Sequence, residues 1–278
     1  MSIRLIALDL DRTTLNAESR LSAGNKEAME EAAKRGIHVV ISTGRSFYAL
    51  PEDVLQVRGI RYAITSNGAQ LIDLQEKRVL YENCISETAL LASEQLLRRN
   101  LWRPMLIETF IKGVPYVEKS VYDTIAAGGK SLRNREYMLT TRRPMENMLD
   151  FMHQHADKVE NINMFFEDKE TMQAMWEELA SLSDVTLTSS LDNNWEIGGA
   201  TTSKAKGLEV LSERLNIRPD EIMACGDSPN DGAMLRYAGI GVAMGNAREE
   251  VKAQADFVAA PHDKDGVAEA IRKFALSD

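Results

Sequence analysis

Short apolar runs that alternate with amphipathic stretches dominate the first and last thirds of the chain. Ile6–Leu8 is too short for a helix and apolar enough for a strand that is buried on both faces. A helical pattern runs from Ser22 to Gly36, and a second buried strand, His38–Ser42, follows it. A strand, a helix and a strand within about 40 residues predict a βαβ unit, whose two strands are parallel.

The same alternation continues beyond the second strand. Ser46 is predicted to cap a helix that runs to about Val57, and a third strand covers Tyr62–Ser66. The pattern predicts a hairpin next, and buried strands separated by helical stretches in the last third of the chain. The hairpin covers 70–74 and 77–82, and the later strands are Glu221–Cys225, Gly239–Ala243 and Asp256–Val258.

The middle third has a different pattern of apolar and polar residues. Helical stretches there alternate with strands that contain regularly spaced polar residues, such as Ile162–Phe166. The sequence therefore predicts an α/β protein with two domains. A Rossmann-like core domain with a parallel sheet is formed by 1–85 and 191–278, and an α+β cap domain is inserted into it at 86–190.

Composition limits the classes of function. The chain has 278 residues, of which 44% are hydrophobic, enough for one large or two moderate domains. Its net charge of −9 excludes a general basic surface for nucleic acid, and binding of an anion requires local positive charge or a metal. No apolar run reaches the roughly 18 residues of a membrane span, and no signal segment precedes the first strand. Cys84 and Cys225 match no disulfide or zinc spacing, which predicts reduced thiols and a cytoplasmic location.

Two carboxylates, Asp9 and Asp11, follow the first strand. A parallel strand delivers the residues after it to the carboxyl edge of the sheet, where α/β proteins place their chemistry. Residues i and i+2 of an extended segment point the same way, so both carboxylates can face one ligand. Like charges that close repel unless a cation or a proton intervenes, and an all-oxygen site favours Mg²⁺. By itself the pattern also fits a solvated turn.

Polar groups follow two other predicted elements. Thr43-Gly44-Arg45 supplies a hydroxyl, a glycine and a helix start, which together form a small anion site or an ordinary cap with a surface arginine. Lys204 begins the predicted helix Ser203–Leu215, where the helix dipole disfavours a cation. An anionic partner explains that lysine better than solvation does, although exposed charges cost little.

The fourth polar stretch is Gly226–Asp231, directly after the strand Glu221–Cys225. Its Asp227, Asn230 and Asp231 place two carboxylates and an amide on one turn, which alone fits a surface turn. Four such groups at the strand ends of one domain favour a common site.

These four stretches, in this order and spacing, resemble the four motifs of the haloacid dehalogenase superfamily of phosphotransferases. Asn67-Gly68-Ala69 after the third strand, and the position of the insertion, resemble its Cof-type branch of sugar-phosphate phosphatases with a class IIB cap. The resemblance covers nearly the whole chain and is strong in the core and generic in the cap. It implies a Mg²⁺-dependent phosphatase of small phosphorylated metabolites, chiefly sugar phosphates, that works through an aspartyl-phosphate.

The resemblance also implies a role for each matched residue. Asp9 is then the nucleophile and Asp11 the general acid and base. Mg²⁺ is held by the carboxylates of Asp9 and Asp227 and by the backbone carbonyl of Asp11, with Asp231 in support. The phosphate site is then formed by the Leu10 backbone amide, Thr43, Gly44, Arg45, Lys204 and Asn230.

The chain departs from the family pattern at two positions. Arg12 stands where the first motif normally has glycine, and Ala205 where the lysine motif normally continues with glycine. If position 12 needs a positive φ, Arg12 is strained by about 1 kcal/mol or more. Otherwise it adds a cation at the mouth of the site. A phosphomutase of the same superfamily and a non-catalytic phosphometabolite-binding protein stay open as alternatives, as do a monomer and a homodimer.

Overall fold

The computed structural model describes residues 2–277, and between them the chain forms fourteen strands and eleven helices. The strands are β1 (Leu5–Leu8), β2 (His38–Ser42), β3 (Tyr62–Thr65), β4 (Gln70–Asp73), β5 (Arg78–Glu82), β6 (Met105–Ile111), β7 (Val114–Glu118), β8 (Arg143–Met145), β9 (Val159–Phe166), β10 (Val185–Thr188), β11 (Asn194–Gly199), β12 (Ile222–Gly226), β13 (Ile240–Ala243) and β14 (Phe257–Val258). The helices are α1 (Ala23–Lys34), α2 (Glu52–Leu55), α3 (Glu87–Asn100), α4 (Lys119–Ala126), α5 (Arg135–Thr141), α6 (Met148–Gln154), α7 (Lys169–Leu179), α8 (Lys204–Leu215), α9 (Gly232–Tyr237), α10 (Glu249–Lys252) and α11 (Gly266–Phe274).

The chain divides into two compact units. The second unit comprises Ser46–Ala49 and Asn83–Thr202, and the first unit comprises the rest. The sequence predicts an insertion at 86–190, which ends twelve residues before the observed boundary. The reason is β11, which pairs antiparallel with β9 and β10 and so belongs to the second sheet.

The first unit is built on an eight-stranded sheet with the order β14-β13-β12-β1-β2-β3-β4-β5. Every pair from β14 to β3 is parallel, and β4 and β5 form the antiparallel hairpin at one edge. The predicted α/β class with a parallel-sheet core is confirmed. β1 lies in the middle of this sheet, between β12 and β2. The residues that follow its carboxyl end therefore lie at the centre of the sheet edge.

Helices cover both faces of this sheet. All four residues of β1 are fully buried, and they alternate between two apolar cores. Ile6 and Leu8 belong to the core that includes residues of α1 and α11, whereas Leu5 and Ala7 belong to the core that includes residues of α8 and α9. Burial of each large side chain contributes roughly 1.5–3 kcal/mol, which fixes β1 and the position of the residues that follow it.

One predicted element of the core is wrong. Instead of a helix from Ser46 to about Val57, the chain forms a single turn at Phe47–Ala49 and the short helix α2. Pro51 separates them, since it lacks a backbone N–H and disfavours helical geometry at the residue before it. The other predicted core strands lie within one residue of their observed bounds.

The second unit contains a six-stranded sheet with the order β10-β11-β9-β6-β7-β8, antiparallel except for the β7–β8 pair. Helices α3, α6 and α7 contribute to the apolar core on one face of it. On the sheet, Glu108, Asn163 and Glu196 are paired in one row across β6, β9 and β11, and all three are buried. Arg142 is also buried and holds Glu108 through two bonds of 3.0 and 2.6 Å.

No helix between residues 2 and 277 has both the length and the apolar character that a membrane crossing requires. Neither Cys84 nor Cys225 forms a disulfide. Cys225 lies fully buried in β12, and burial, together with the charge of Asp231, raises the pKa of its thiol to about 12. It is therefore a core residue, as predicted, and not a nucleophile.

Candidate active site

Asp9 extends the central strand of the first unit by one residue. Its backbone N–H donates to the Cys225 carbonyl at 3.1 Å, which continues the parallel ladder between β1 and β12. The Thr14 hydroxyl donates to the Asp9 carbonyl, and the Leu15 N–H donates to the Leu10 carbonyl at 2.9 Å. These bonds close a tight turn directly after Asp9, whose side chain is almost completely buried.

The turn after β12 brings two further carboxylates to the same place. Because β12 pairs with β1 in parallel, Asp227 leaves the sheet beside Asp9. Asp231 caps its own turn, since its Oδ2 accepts from the backbone N–H groups of Asp227 and Ser228 at 3.0 Å each. A Cβ at Gly226 would lie 2.4 Å from Asp231 Cβ, so only glycine allows this approach.

Lys204 joins two of these carboxylates. Its Nζ donates to Asp9 Oδ1 and to Asp231 Oδ1 at 2.6 Å each, and its side chain is only 1% exposed. Lys204 is the first residue of α8, whose N-cap Ser203 accepts from the backbone N–H of Lys206 at 3.0 Å. Lys204 is therefore buried and paired with two carboxylates of the chain itself, and it is not solvated.

The charges in this cluster do not balance. Burial raises the pKa of Asp9 well above its ordinary value, against the opposing charge of Lys204 and with a contribution from Asp231. Burial, and then Asp231, raise the pKa of Asp227 to about 7. Burial alone would lower the pKa of Lys204, but the two carboxylates bonded to it outweigh burial and raise it. The lysine is thus charged, and the carboxylates still lack positive charge.

A divalent cation would supply the positive charge that the carboxylates lack. Oxygen atoms of Asp9, Asp227 and Asp231 lie within 4.8 Å of one another, and all three residues are buried. Three carboxylates and the Lys204 ammonium give the cluster a formal charge of −2. Asp9 Oδ1 accepts from Lys204 Nζ, and because a carboxylate oxygen has two lone pairs, the same oxygen can also face a metal ion. Asp231 is already bonded through both oxygens, which suits support better than coordination.

Asp11 lies apart from this carboxylate cluster. Arg45 Nε donates to Asp11 Oδ2 at 2.8 Å and Arg45 Nη2 to Asp11 Oδ1 at 2.6 Å, in a bidentate pair. Arg45 is 9% exposed and the Asp11 side chain 45%, so Arg45 is not the surface arginine of an ordinary cap. Asp9 and Asp11 therefore have different partners, since Asp9 is bonded to Lys204 and Asp11 to Arg45.

Three further predicted residues of the first unit, Thr43, Gly44 and Asn230, have polar contacts of their own. Thr43 Oγ1 accepts from the Arg45 backbone N–H at 3.1 Å. Asn230 Nδ2 donates to Asn67 Oδ1 at 2.9 Å, and a Cβ at Gly44 would lie 3.0 Å from that same oxygen. The structure thus brings Gly44 and Asn230 together around Asn67. Leu10 lies between Asp9 and Asp11 in the sequence, and its side chain is fully buried in the core.

Sequence reasoning did not identify two contacts with Asp227 of the acidic cluster and one with the backbone of the turn that carries Arg12. Thr13 Oγ1 donates to Asp227 Oδ1 at 3.3 Å, and Arg12 Nε lies 3.8 Å from Asp227 Oδ2. Asn246 Nδ2 donates to the Arg12 carbonyl at 2.9 Å. The position of Thr13 in the first motif could have indicated its contact, whereas nothing in the sequence around Asn246 links it to that turn.

Known proteins resemble this chain over nearly its whole length. A sequence profile of the haloacid dehalogenase-like hydrolases matches residues 6–271. The chain belongs to the haloacid dehalogenase-like hydrolase family. Phosphatase YwpJ of Bacillus subtilis (strain 168) is 32% identical over 287 aligned residues, which cover 96% of this chain and 98% of that protein.

A second relative and a solved structure extend the comparison. The 5-amino-6-(5-phospho-D-ribitylamino)uracil phosphatase YcsE of the same Bacillus strain is 30% identical over 280 residues, covering 99% of this chain and 97% of YcsE. The structure of a haloacid dehalogenase-like hydrolase from B. subtilis has a TM-score of 0.81 and 32% identity, covering 97% of this chain and 99% of that one. The predicted family, its Cof-type branch and the enzyme class are confirmed: the chain is a hydrolase of the haloacid dehalogenase type, with phosphatases as relatives.

Proposed function

We propose that this protein is a Mg²⁺-dependent phosphatase of small phosphorylated metabolites, chiefly sugar phosphates, and that it works through an aspartyl-phosphate on Asp9. One observation carries the proposal: Asp9, Asp227 and Asp231 form a buried carboxylate cluster around Lys204. The cluster occurs at the carboxyl edge of a parallel sheet, in a member of a hydrolase family with phosphatase relatives.

Asp9 is the nucleophile in this proposal. Its Oδ1 accepts from Lys204 Nζ, which leaves Oδ2 for attack on the phosphorus atom. The new bond joins Oδ2 to phosphorus, and the bond between phosphorus and the ester oxygen of the substrate breaks. Lys204 keeps a fixed positive charge beside Asp9 and so lowers the repulsion between the carboxylate and the incoming phosphate.

Asp11 moves the protons. In the first step it gives a proton to the leaving ester oxygen, and in the second it takes one from the water that attacks the aspartyl-phosphate. That water displaces Asp9 and releases inorganic phosphate. The bidentate contact with Arg45 holds the Asp11 carboxyl group in place for the second step. Protonation of Asp11 for the first step requires its release from Arg45, which its half-exposed position allows.

Mg²⁺ would be held by the carboxylates of Asp9 and Asp227 and by the backbone carbonyl of Asp11. Asp231 would support this site through its bonds to Lys204 and to the backbone of its own turn. When bound, the ion supplies charge neutralisation for the carboxylate and the phosphoryl oxygens.

The phosphate group would be held by polar groups around the same edge of the sheet. Thr43 offers its hydroxyl, and Gly44 allows the phosphate to approach the backbone closely. The Leu10 backbone amide, Lys204 and Asn230 complete the proposed site, with Arg45 acting there through Asp11.

The substrate class is the finer part of the proposal. The named substrate of YcsE is a phosphate ester of a sugar-alcohol chain, which favours phosphorylated polyols and sugars here. The insertion predicted at 86–190 would act as the cap that sets substrate specificity. A cytoplasmic location belongs to the same proposal, supported by two cysteines without a disulfide.

Phosphate release from an aryl phosphate and from a panel of sugar phosphates tests the proposal. Turnover is expected with Mg²⁺, and it should be abolished by a chelator and by Asp9→Asn. Lys206→Met, on the exposed side of α8, should leave turnover unchanged. An isomerised phosphosugar without free phosphate would favour the phosphomutase. Substrate binding without turnover, by the native chain and with every metal tried, would favour the binding protein.

A further inference from the structure

Arg12 is the residue at which this chain departs from the first family motif, and its backbone is left-handed, with φ 60° and ψ 13°. Residues with a side chain rarely adopt this conformation, whereas glycine adopts it freely. The turn after Asp9 therefore keeps the geometry that suits glycine but carries an arginine. A strained backbone conformation next to a reactive group indicates that the side chain has a function there.

The surrounding structure holds Arg12 in this conformation. Asn246 Nδ2 donates to the Arg12 carbonyl at 2.9 Å, and Asn246 Oδ1 accepts from the His262 backbone N–H at 2.9 Å. Asn246 thus links the turn to a separate segment of the first unit. Since the backbone is fixed from outside the turn, the direction in which the Arg12 side chain leaves it is fixed as well.

The Arg12 guanidinium stands beside one carboxylate of the acidic cluster. Its Nε lies 3.8 Å from Asp227 Oδ2, and the Arg12 side chain is 48% exposed while that of Asp227 is 3% exposed. At this separation the two groups attract each other through their charges without a hydrogen bond. The guanidinium therefore adds positive charge beside Asp227 without a bond that would occupy its oxygen.

The two cations of the site serve different carboxylates. Lys204 bonds to Asp9 and Asp231, whereas Arg12 lies beside Asp227. A divalent ion held by Asp9 and Asp227 would share the second carboxylate with a permanent positive charge. Like charges this close repel each other, and glycine at position 12 would remove that repulsion.

We propose that Arg12 sets the affinity of this site for its divalent cation, and that it weakens binding through the charge beside Asp227. This inference rests on the proposed metal site. Because the guanidinium is half exposed, the interaction is close to the water limit of Coulomb's law, and for a divalent ion it corresponds to roughly a tenfold change in Kd. Salt screens such exposed charges, so the change should shrink at high ionic strength.

Three substitutions separate charge from backbone strain. Arg12→Lys keeps both the charge and the strain, Arg12→Gln keeps only the strain, and Arg12→Gly removes both. Mg²⁺ is titrated into the chelator-treated full chain by calorimetry, at low and at high salt. Arg12→Gln and Arg12→Gly are expected to bind Mg²⁺ roughly tenfold more tightly than the native chain at low salt, with Arg12→Lys close to native.

Thermal unfolding of the metal-free variants provides the second readout. Arg12→Gly should unfold at a higher temperature than Arg12→Gln, since glycine relieves the left-handed backbone. If Arg12→Gln binds Mg²⁺ as weakly as the native chain, the inference is overturned, even if Arg12→Gly binds more tightly. If neither the native chain nor any variant binds Mg²⁺, the proposed metal site itself fails.

Discussion

Replacement of Lys204 by methionine removes the buried cation and keeps a side chain of similar length. The loss leaves Asp9, Asp227 and Asp231 within 4.8 Å of one another and deletes two bonds of 2.6 Å. Removal of one partner from a buried ion pair typically costs about 3–5 kcal/mol. Uptake of a proton by a carboxyl group whose pKa is already raised, such as Asp9, offsets part of this cost. We therefore expect the metal-free variant to lose about 3 kcal/mol of stability.

Urea unfolding at neutral pH measures this loss. All three tryptophans lie in the second unit, so the transition should be followed by circular dichroism, which reports on both units. The matched control is Lys206→Met on the same helix, where the lysine is 40% exposed and pairs with Glu209. That substitution should cost no more than about 0.5 kcal/mol.

Two results would refute the reasoning about Lys204. The first is a loss below about 1 kcal/mol, comparable to that of the Lys206 control, which would show that the buried lysine does not compensate the carboxylates. The second concerns the double variant Lys204→Met/Asp231→Asn. It should regain part of the lost stability because one uncompensated charge is gone, and a strictly additive further loss would contradict this.

Three further predictions follow from other contacts. Arg45→Lys cannot keep the bidentate bond to Asp11, so kcat in a steady-state phosphatase assay should fall about 10- to 100-fold; an unchanged kcat would contradict a positioning role. Burial opposes ionisation of Glu108, but Arg142 and Arg133 together outweigh burial and lower the Glu108 pKa, so its stabilisation is present above about pH 4.5 and is lost as pH falls through the folded-state pKa. The stability difference between the native chain and Glu108→Gln, measured by urea unfolding with tryptophan fluorescence, should accordingly shrink at acid pH, and a constant difference would count against the ion pair. Cys225→Ala should cost about 1 kcal/mol of stability and leave turnover unchanged, whereas loss of turnover would give the thiol a role that its burial excludes.

The framework of the first unit could be predicted because its strands are short apolar runs that end at polar groups. Ile6–Leu8 indicates a strand buried on both faces, and β1 is buried on both faces. Parallel pairing then brings the residues after β1 and β12 to one edge, which is why Asp9 and Asp227 could be expected near each other. The predicted helix after Ser46 failed because tertiary structure and Pro51 overrode a weak local pattern.

Side-chain partners that are distant in sequence could not be predicted. Asp11 and Arg45 are 34 residues apart, and their pairing depends on how the turns after β1 and β2 meet at the sheet edge. Arg142 lies two residues before Pro144, in a stretch that suggests a surface turn, yet it is buried because Glu108 on β6 needs a counter-charge. Strand β11 shows the same limit, since the sequence assigns its residues to the core domain, whereas β11 pairs with β9 and β10 in the second sheet.

The most direct test of the proposed mechanism is the site of phosphorylation during turnover. The full chain is mixed with substrate and Mg²⁺, quenched in acid while turnover proceeds, digested, and analysed by mass spectrometry. The proposal predicts one added phosphoryl group on the peptide that contains Asp9, and none with a chelator or in Asp9→Asn. Turnover without any phosphorylated peptide, or with the phosphoryl group on another residue, would contradict Asp9 as the nucleophile.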